Sequence, residues 1–228
     1  MNPGLIFRDL RFKLFNWLVN DVITRRARKL KTFGDICPWT IQADTLDAKS
    51  VVLSAGAGND ISFERDLIEQ YQLNIVLMDP SPTGKICVEK TVLSPDRLKF
   101  LPLALTAKDG VIHMRAPQDP VEGSYVATGD NGVGDTFESE SIVQIMRKNN
   151  WKQIDLLKMD IEGSEYEVLD QILISHLNIR QICVELHYGT GFQESRSTIL
   201  KTILRMVCGG YDLVHRVGMD FTFVRRAQ

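Results

Sequence analysis

From residue 50 onward, short apolar runs alternate with longer segments whose apolar residues recur at helical spacing. The apolar runs predict strands at Val51–Ala55, Asn74–Met78, Lys99–Leu103, Ile154–Met159, Gln181–Leu186, 211–217 and 220–225. The segments between them predict helices near 61–71, 138–150, 165–174 and 195–207. Such alternation is typical of βαβ units around a mainly parallel sheet, so we predict an α/β fold. Only a short turn at Gly218 separates the last two strands, and that pair is therefore predicted to be antiparallel.

The chain before residue 50 has a different character. Residues 5–31 carry apolar residues at roughly every fourth position, which predicts an amphipathic helix. Residues 1–31 contain eight lysines and arginines against two aspartates, so the helix is basic. We therefore divide the chain into a basic helical extension, 1–49, and one α/β domain, 50–228. The sequence allows residues 5–31 to pack on that domain or on a second subunit, or to lie on an anionic membrane surface.

Several classes of protein are disfavoured by composition. No apolar run approaches the roughly 20 residues of a membrane-spanning helix, and charges interrupt the N-terminal apolar residues, so we expect no signal peptide. The four cysteines form no CxxC pair, which favours a reducing compartment. We expect a cytoplasmic protein, either free or at a membrane periphery. The formal net charge of −2 offers no electrostatic footprint for nucleic acid, and we expect no such partner.

A glycine turn, "GAGND", follows the first strand of the domain and precedes a helix. Gly56 and Gly58 would let the backbone approach a bound molecule. The dinucleotide fingerprint needs a small third residue where Ile61 stands, and no P-loop motif is present. Asp79 ends the next strand, 21 positions after Gly58, where an acid suits two ribose hydroxyls. A plain turn is the alternative, but together these features favour a nucleoside-containing cofactor.

Acidic residues end two further strands. Asp160 and Glu162 follow "DLLKM", and "VELHYG" contains Glu185 and His187. Neighbouring parallel strands would bring these groups to the edge of the sheet that also holds the glycine turn. They could act as general bases or hold a divalent cation such as Mg²⁺. Alternatively they are ordinary loop groups near a helix N-terminus, a role that fits Glu165.

Four segments in this order, "VVLSAGAGNDISFE", "VLMDPSP", "IDLLKMDIEGSEYEVL" and "ICVELH", resemble the FkbM family of S-adenosylmethionine-dependent methyltransferases over roughly residues 50–225. The resemblance implies a Rossmann-like class I methyltransferase fold, with a seven-stranded, mainly parallel sheet and an antiparallel last strand. It also implies methyl transfer from S-adenosyl-L-methionine to an oxygen, on a hydroxyl of a sugar or another small natural product. Two positions depart from the family pattern, because Ser54 replaces the usual acid before the turn and Asp60 the third glycine.

The resemblance also implies roles for particular residues. The cofactor contacts would be Ser54, Gly56, Gly58, Asp79, Pro80, Ala104, Leu105 and Asp160. The catalytic residues would be Asp160, His187 and Glu185, with His187 or Asp160 taking the hydroxyl proton. Asp160 and Glu185 also stand where enzymes similar to catechol O-methyltransferase hold Mg²⁺, so a metal at these two residues is a second implication.

The segment 113–137 follows a predicted hairpin piece, "DGVIHM", and reads as a long loop rich in Gly, Asp and Pro. It would be either a lid that places Ser124 and Tyr125 near the cofactor or a plain surface loop.

Two other functions compete with methyl transfer. One is a nicotinamide-dependent oxidoreductase, which would share the sheet and Asp79. The other is a non-catalytic Rossmann-like module that binds a partner through the basic helix.

Overall fold

A computed structural model describes residues 13–25, 29–91, 93, 96–118, 124–128, 133–189, 191–192 and 194–227 of the chain. Its central feature is a seven-stranded sheet. The strands are β3 Val51–Ala55, β4 Asn74–Met78, β5 Leu98–Leu101, β10 Ile154–Met159, β11 Ile179–Glu185, β12 Tyr211–Val217 and β13 Asp220–Arg225. They lie in the order β12-β13-β11-β10-β3-β4-β5, and all neighbours are parallel except β13, which is antiparallel to both β11 and β12. The predicted α/β class, seven-stranded sheet and antiparallel last strand are therefore confirmed.

Helices cover both faces of this sheet, because its central strands are apolar on both sides. Their bounds are α2 Ser62–Tyr71, α3 Pro82–Lys90, α4 Ile142–Lys148, α5 Glu165–Ile174 and α6 Arg196–Cys208. One face of the sheet packs against α4, α5 and α6 in a large apolar cluster. The other face packs against α2 in a second cluster that includes Val52, Leu156 and Leu67. Helix α3 was not predicted, and it begins where the Ser81 hydroxyl accepts the Gly84 amide hydrogen and Pro82 occupies the first turn.

The N-terminal region is only partly the predicted helix. Among the described residues, α1 covers 13–23, with a π-helical stretch at Leu18–Ile23, and the chain becomes extended at Thr24. Phe15 and Val19 of α1 pack into the main core, whereas Leu14 and Trp17 are exposed. The predicted helix over 5–31 is wrong at its end, because residues 30–31 already belong to a strand. Residues 1–12 of that prediction lie outside the described part of the chain.

A β-hairpin follows α1 and was not predicted. Its strands are β1 Leu30–Phe33 and β2 Trp39–Gln42. Phe33, Trp39 and Ile41 are buried in the apolar cluster on the α2 face of the sheet. Strand β2 packs near β11 and β13, so the hairpin covers the part of this face that α2 does not reach. A short 3₁₀ turn, Ala43–Thr45, leads from the hairpin toward β3.

A second sheet of four strands stands beside the carboxyl ends of the central strands. It contains β6 Ala104–Thr106, β7 Gly110–Arg115, β8 Val126–Ala127 and β9 Asp135–Ser141 in the order β6-β9-β7-β8. Three predictions are corrected here. The strand predicted over Lys99–Leu103 ends at Leu101, residues 138–141 are strand rather than helix, and both ends of the predicted 113–137 loop belong to strands. Strand pairing between distant segments overrides the local helical pattern.

Within the described residues, no helix is long and apolar enough to cross a membrane.

Candidate active site

A cavity of about 430 Å³ lies at the carboxyl edge of the central sheet. It brings together nearly all of the predicted site residues, namely Gly56, Gly58, Asp79, Pro80, Ala104, Leu105, Asp160, Glu185 and His187. It is also lined by Met78, Ile112 and Met114 and by Ser124 and Tyr125 from the segment before β8. An apolar region near Ala104 and an acidic region near Asp160 thus share one cavity.

The glycine turn brings two strands into close contact. Gly56 has φ +88°, and a Cβ atom built on it would lie 1.8 Å from the carbonyl oxygen of Asp160. Only glycine permits the end of β3 to come this close to the end of β10. Gly58 also has a positive φ, +51°, but a Cβ atom at this position would have no other atom within 4 Å. The backbone at Gly58 therefore faces open space, as a turn that borders a ligand requires.

Asp79 is buried, and both of its oxygens accept hydrogen bonds from the protein. Oδ2 accepts the amides of Ala57 at 2.7 Å and Gly58 at 3.0 Å. Oδ1 accepts the amide of Ser81 at 2.7 Å and its hydroxyl at 2.6 Å. A carboxylate has about four acceptor positions, and here protein donors fill them. Asp79 therefore joins the glycine turn to the start of α3.

Ser54, a predicted cofactor contact, does not line the cavity. It is fully buried in β3, and its hydroxyl donates to Oε1 of Glu64 at 2.5 Å. Glu64 comes from α2 and does line the cavity. Burial raises the pKa of Glu64, an effect that the nearby charge of Lys158 opposes. A carboxylate from α2 thus lies beside position 54, where the resemblance implies an acid.

His187 lies among four carboxylates at the acidic end of the cavity. Its Nδ1 atom is 2.8 Å from Oε1 of Glu165. Its Nε2 atom is 3.3 Å from Glu162, 3.8 Å from Asp160 and 3.9 Å from Glu185. Burial alone would lower the pKa of His187, but the hydrogen bond to Glu165 and the surrounding negative charges raise it to about 10. A pKa this high favours the protonated imidazole near neutral pH, and the prediction that His187 takes the hydroxyl proton as general base stays a prediction.

Two of the neighbouring acids, Glu185 and Glu162, have raised pKa values. Burial, and then the charge of Asp160, raises the pKa of Glu185 to about 7. Burial also raises the pKa of Glu162. Glu165, in contrast, is held in place by the amides of Ile161 at 3.2 Å and Gly163 at 3.0 Å. Its place in the first turn of α5 agrees with the helix N-terminal role anticipated for it, and it also orients His187.

Residues 54–226 match the model of the methyltransferase FkbM domain. The chain belongs to the FkbM methyltransferase family. It is accordingly an S-adenosylmethionine-dependent methyltransferase, with the class I methyltransferase fold. The structure also disfavours the competing nicotinamide-dependent function, because a dinucleotide pyrophosphate would need the turn amides that Asp79 already occupies.

Solved structures with similar folds are remote from this FkbM protein. A fibrillarin pre-rRNA processing protein of Methanococcus jannaschii matches with a TM-score of 0.45 and 9% identity, over 80% of this chain and 69% of that chain. The 23S rRNA methyltransferase ErmE has a TM-score of 0.40 and 14% identity, over 80% and 64%. A methyltransferase from Pyrococcus furiosus has a TM-score of 0.38 and 10% identity, over 96% and 98%. The chain thus spans about two thirds of the first two proteins. No curated protein matches the chain.

The cavity of this FkbM protein fits S-adenosyl-L-methionine by its chemistry. The open backbone at Gly58 leaves room beside the turn, and apolar residues near Ala104 and Leu105 offer a surface for a base. The acids at the other end suit a positively charged sulfonium, since opposite charges attract strongly in a partly buried site. None of these features indicates that the ligand of this cavity carries a phosphate group.

The acidic end does not fit Mg²⁺ in the same way. One ligand atom each from Asp160, Glu185 and His187 lie within 4.8 Å of one another. Mg²⁺ prefers oxygen ligands in a near-octahedral shell, however, whereas this group offers two carboxylates and a ring nitrogen. His187 already supplies the positive charge that these carboxylates face. We therefore assign no metal to the site.

Sequence reasoning missed several residues of the site. Lys158 is buried in β10, donates to the carbonyl oxygen of Gly56 and lies 5.4 Å from the centre of the Trp39 ring. A lysine inside the apolar run "LLKM" was a signal of this role, since such strands rarely bury a charge without a partner. Trp39 and Cys37 also line the cavity, and they come from the hairpin that was not predicted.

Part of the segment predicted to be either a lid or a plain surface loop borders the cavity. Ser124 and Tyr125 line the cavity, and the Ala127 amide donates to the carbonyl oxygen of Glu162 at 3.0 Å. The Tyr125 ring meets the Phe137 ring edge-on at 5.5 Å. Residues 124–128 therefore cover the end of β10. Residues 119–123 and 129–132 of the predicted loop lie outside the described part of the chain.

Proposed function

We propose that this enzyme transfers the methyl group of S-adenosyl-L-methionine to a hydroxyl oxygen of a sugar or another small natural product. The observation that carries the proposal is the pair of carboxylates, Asp160 and Glu185, at the acidic end of the cavity. Neither accepts a hydrogen bond from any residue that the structure describes, so both are available to an acceptor hydroxyl. A hydroxyl needs such a base, because it is a weak nucleophile until its proton is removed.

The cofactor contacts follow from the cavity. Gly56 and Gly58 would border the methionine part, and Ala104 and Leu105 would flank the adenine. Pro80 would close the side next to Asp79, whose oxygens hold the turn. We therefore propose that Asp79 acts mainly by positioning the turn, and direct hydrogen bonds to ribose remain a prediction for that residue. When bound, the cofactor supplies a methyl group that is already activated by its sulfonium.

The protein then has two tasks, to orient the acceptor and to receive its proton. We assign the proton to Glu185, since a base is most effective when its pKa lies near the working pH. Asp160 would hold the acceptor hydroxyl beside the methyl group. His187, protonated and fixed by Glu165, would keep the carboxylates of Asp160 and Glu162 in place as a positioning residue.

A binding measurement followed by product analysis tests the proposal. Calorimetric titration should show micromolar binding of S-adenosyl-L-methionine and none of NAD⁺. Incubation with radiolabelled cofactor and a set of sugars and hydroxylated natural products should then give an O-methyl product, identified by NMR. Asp160→Asn should cut turnover sharply with little change in cofactor affinity. Failure to bind the cofactor, or a methyl group on nitrogen or carbon, would refute the proposal.

A further inference from the structure

A second cavity, of about 440 Å³, adjoins the first at its acidic end. The two cavities share Cys37, Trp39, Asp160 and Glu185. The second is otherwise lined by hairpin residues on one side and by β12 and β13 on the other, including Val217, Asp220 and His215. A molecule in this second cavity would therefore meet Asp160 and Glu185 while lying between the hairpin and strands β12 and β13.

The hairpin wall of this cavity is fixed relative to the cofactor cavity. Oδ2 of Asp60 accepts the amides of Ile36 at 3.3 Å and Cys37 at 3.0 Å. The Gly34 amide donates to Asp66 at 2.9 Å, and the Asp35 amide to Ser62 at 2.7 Å. Residues at the start of α2 thus hold the hairpin turn beside the glycine turn. All of the hairpin lies outside residues 54–226, the part that the FkbM domain model matches.

The charged groups that line the second cavity are acidic. Asp160, Glu185 and Asp220 line it, and none of its described lining residues is a lysine or arginine. Burial, and then the charge of Asp160, raises the pKa of Asp220 to about 6. Burial lowers the pKa of His215, which is therefore mostly neutral near pH 7. The three carboxylates repel one another. His187, which lines the first cavity but not the second, offsets part of the charge of Asp160 and Glu185, and no described lysine or arginine of the second cavity's lining adds to it.

The polar groups of this cavity are nearly all acceptors. Thr222 donates its hydroxyl to the Thr40 carbonyl oxygen at 2.6 Å, and the hydroxyls of Thr32 and Thr40 are 2.8 Å apart. Those hydroxyls are already engaged within the protein. Asp220 and Glu185, in contrast, accept no side-chain hydrogen bond from any residue that the structure describes. A ligand that fits would bring several donors and a positive charge.

We infer that the second cavity is the acceptor site, and that it takes a polyhydroxylated molecule bearing a protonated amine, such as an amino sugar. This inference rests on the proposed methyl transfer to a hydroxyl. The ammonium group would lie between Asp220 and the other two carboxylates, and the hydroxyl to be methylated would lie at Asp160 and Glu185. Ile36, Pro38 and Trp39 would contact the apolar face of the ring. A phosphorylated acceptor finds no lysine or arginine among the described lining residues and is excluded by repulsion.

Matched monosaccharides test the inference. Glucosamine, glucose and glucose 6-phosphate would be compared for binding by ligand-observed NMR, with the product S-adenosyl-L-homocysteine present. Glucosamine should bind at least about tenfold more tightly than glucose, since charged hydrogen bonds are among the stronger ones, and glucose 6-phosphate should bind least. Glucosamine that binds no better than the other two sugars, or that does not bind, overturns the inference.

Point variants test whether glucosamine binds in the second cavity. Asp220→Asn should remove most of the preference for glucosamine, whereas Asp135→Asn, an exposed change of the same charge outside both cavities, should leave it intact. Val217→Lys places a cation at an exposed rim position and should weaken glucosamine more than glucose. A preference that neither Asp220→Asn nor Val217→Lys changes would place the sugar elsewhere and overturn the inference. Cofactor binding measured on the same samples separates the two proposals, because only its loss argues against methyl transfer itself.

Discussion

The Nδ1 atom of His187 lies 2.8 Å from a carboxylate oxygen of Glu165, a residue that is completely buried. The two residues are 22 positions apart in the sequence, on the strand end after β11 and the first turn of α5. Glu165 also accepts two backbone amides of the loop before α5. One buried carboxylate therefore fixes both the loop that carries Glu162 and the imidazole that faces it.

Glu165→Gln should lower the pKa of His187 well below its value of about 10, because the charged partner of the ring is lost. The measurement is an NMR titration of the His187 ring nitrogens. A pKa that stays near 10 in this variant would show that Glu162 and Asp160 suffice to hold the proton.

The stability of the fold should depend on pH through the protonation of His187. The folded pKa of His187 is raised above its ordinary value of 6.5, so its stabilising contribution is complete below about pH 6.5 and is lost as pH rises through about 10. The difference in unfolding free energy between wild type and His187→Gln should therefore shrink over that interval. The exposed His176→Gln is the control and should show no such trend. Urea denaturation at a series of pH values makes the comparison.

Gly56→Ala and Gly58→Ala form a matched pair. The first should destabilise the fold severely, since its Cβ would meet the Asp160 carbonyl oxygen at 1.8 Å and φ is +88°. The second meets no atom within 4 Å and should cost only about 1–2 kcal/mol for its left-handed backbone. Thermal unfolding measures both. Equal losses in the two variants would contradict the close approach of β3 and β10.

Asp79→Asn should reduce stability as well as cofactor affinity. The new amide would present a donor where the turn or Ser81 already presents donors, at an expected cost of about 2–4 kcal/mol. Denaturant unfolding and calorimetric titration with S-adenosyl-L-methionine measure the two effects. Loss of affinity with unchanged stability would instead favour the direct ribose contact.

Glu185→Gln should remove a step from the pH dependence of turnover. If Glu185 receives the acceptor proton, kcat/KM should rise with pH until its pKa of about 7 is passed and then level off. The variant should be much slower and lack this step, whereas the exposed Glu138→Gln should keep it. A step that persists in Glu185→Gln would transfer the role of base to Asp160.

Removal of divalent cations should leave turnover unchanged, because His187 supplies the positive charge at the acidic end. Activity would be measured after dialysis against EDTA and after addition of Mg²⁺. Activity lost to EDTA and restored by Mg²⁺ would reinstate the metal that the resemblance implied.

Much of the central sheet could be predicted because strands buried on both faces carry mostly apolar runs, as in β4. The meeting of Gly56, Asp79 and Asp160 also followed, since topology alone brings the ends of parallel strands together. The hairpin could not be foreseen, because Leu30–Phe33 continues a basic, helix-like pattern and pairs only with β2 among the described strands. Helix α3 was equally hidden, with a glycine in its first turn and weak apolar spacing.

The charge states of the site could not be predicted from sequence. Whether His187 is a base or a cation depends on Glu165, Glu162 and Asp160, and only the folded chain shows their distances. The position of Ser54 is a similar case. Its replacement of the usual acid signalled a changed contact, but its partner, Glu64, became visible only when β3 and α2 were packed together.

The hairpin limits how far the chain can be truncated from its N-terminal side. Phe33, Trp39 and Ile41 fill the same apolar cluster as Val52, Leu156 and Cys183. Gln181 joins β11 to the last residue of the hairpin, Gln42, and to Thr45 of the 3₁₀ turn after it through hydrogen bonds. A chain trimmed to the family boundary at residue 54 would expose that cluster to water and sever those bonds. Such a fragment should aggregate rather than fold, so production of the enzyme must retain the residues upstream of its nominal domain.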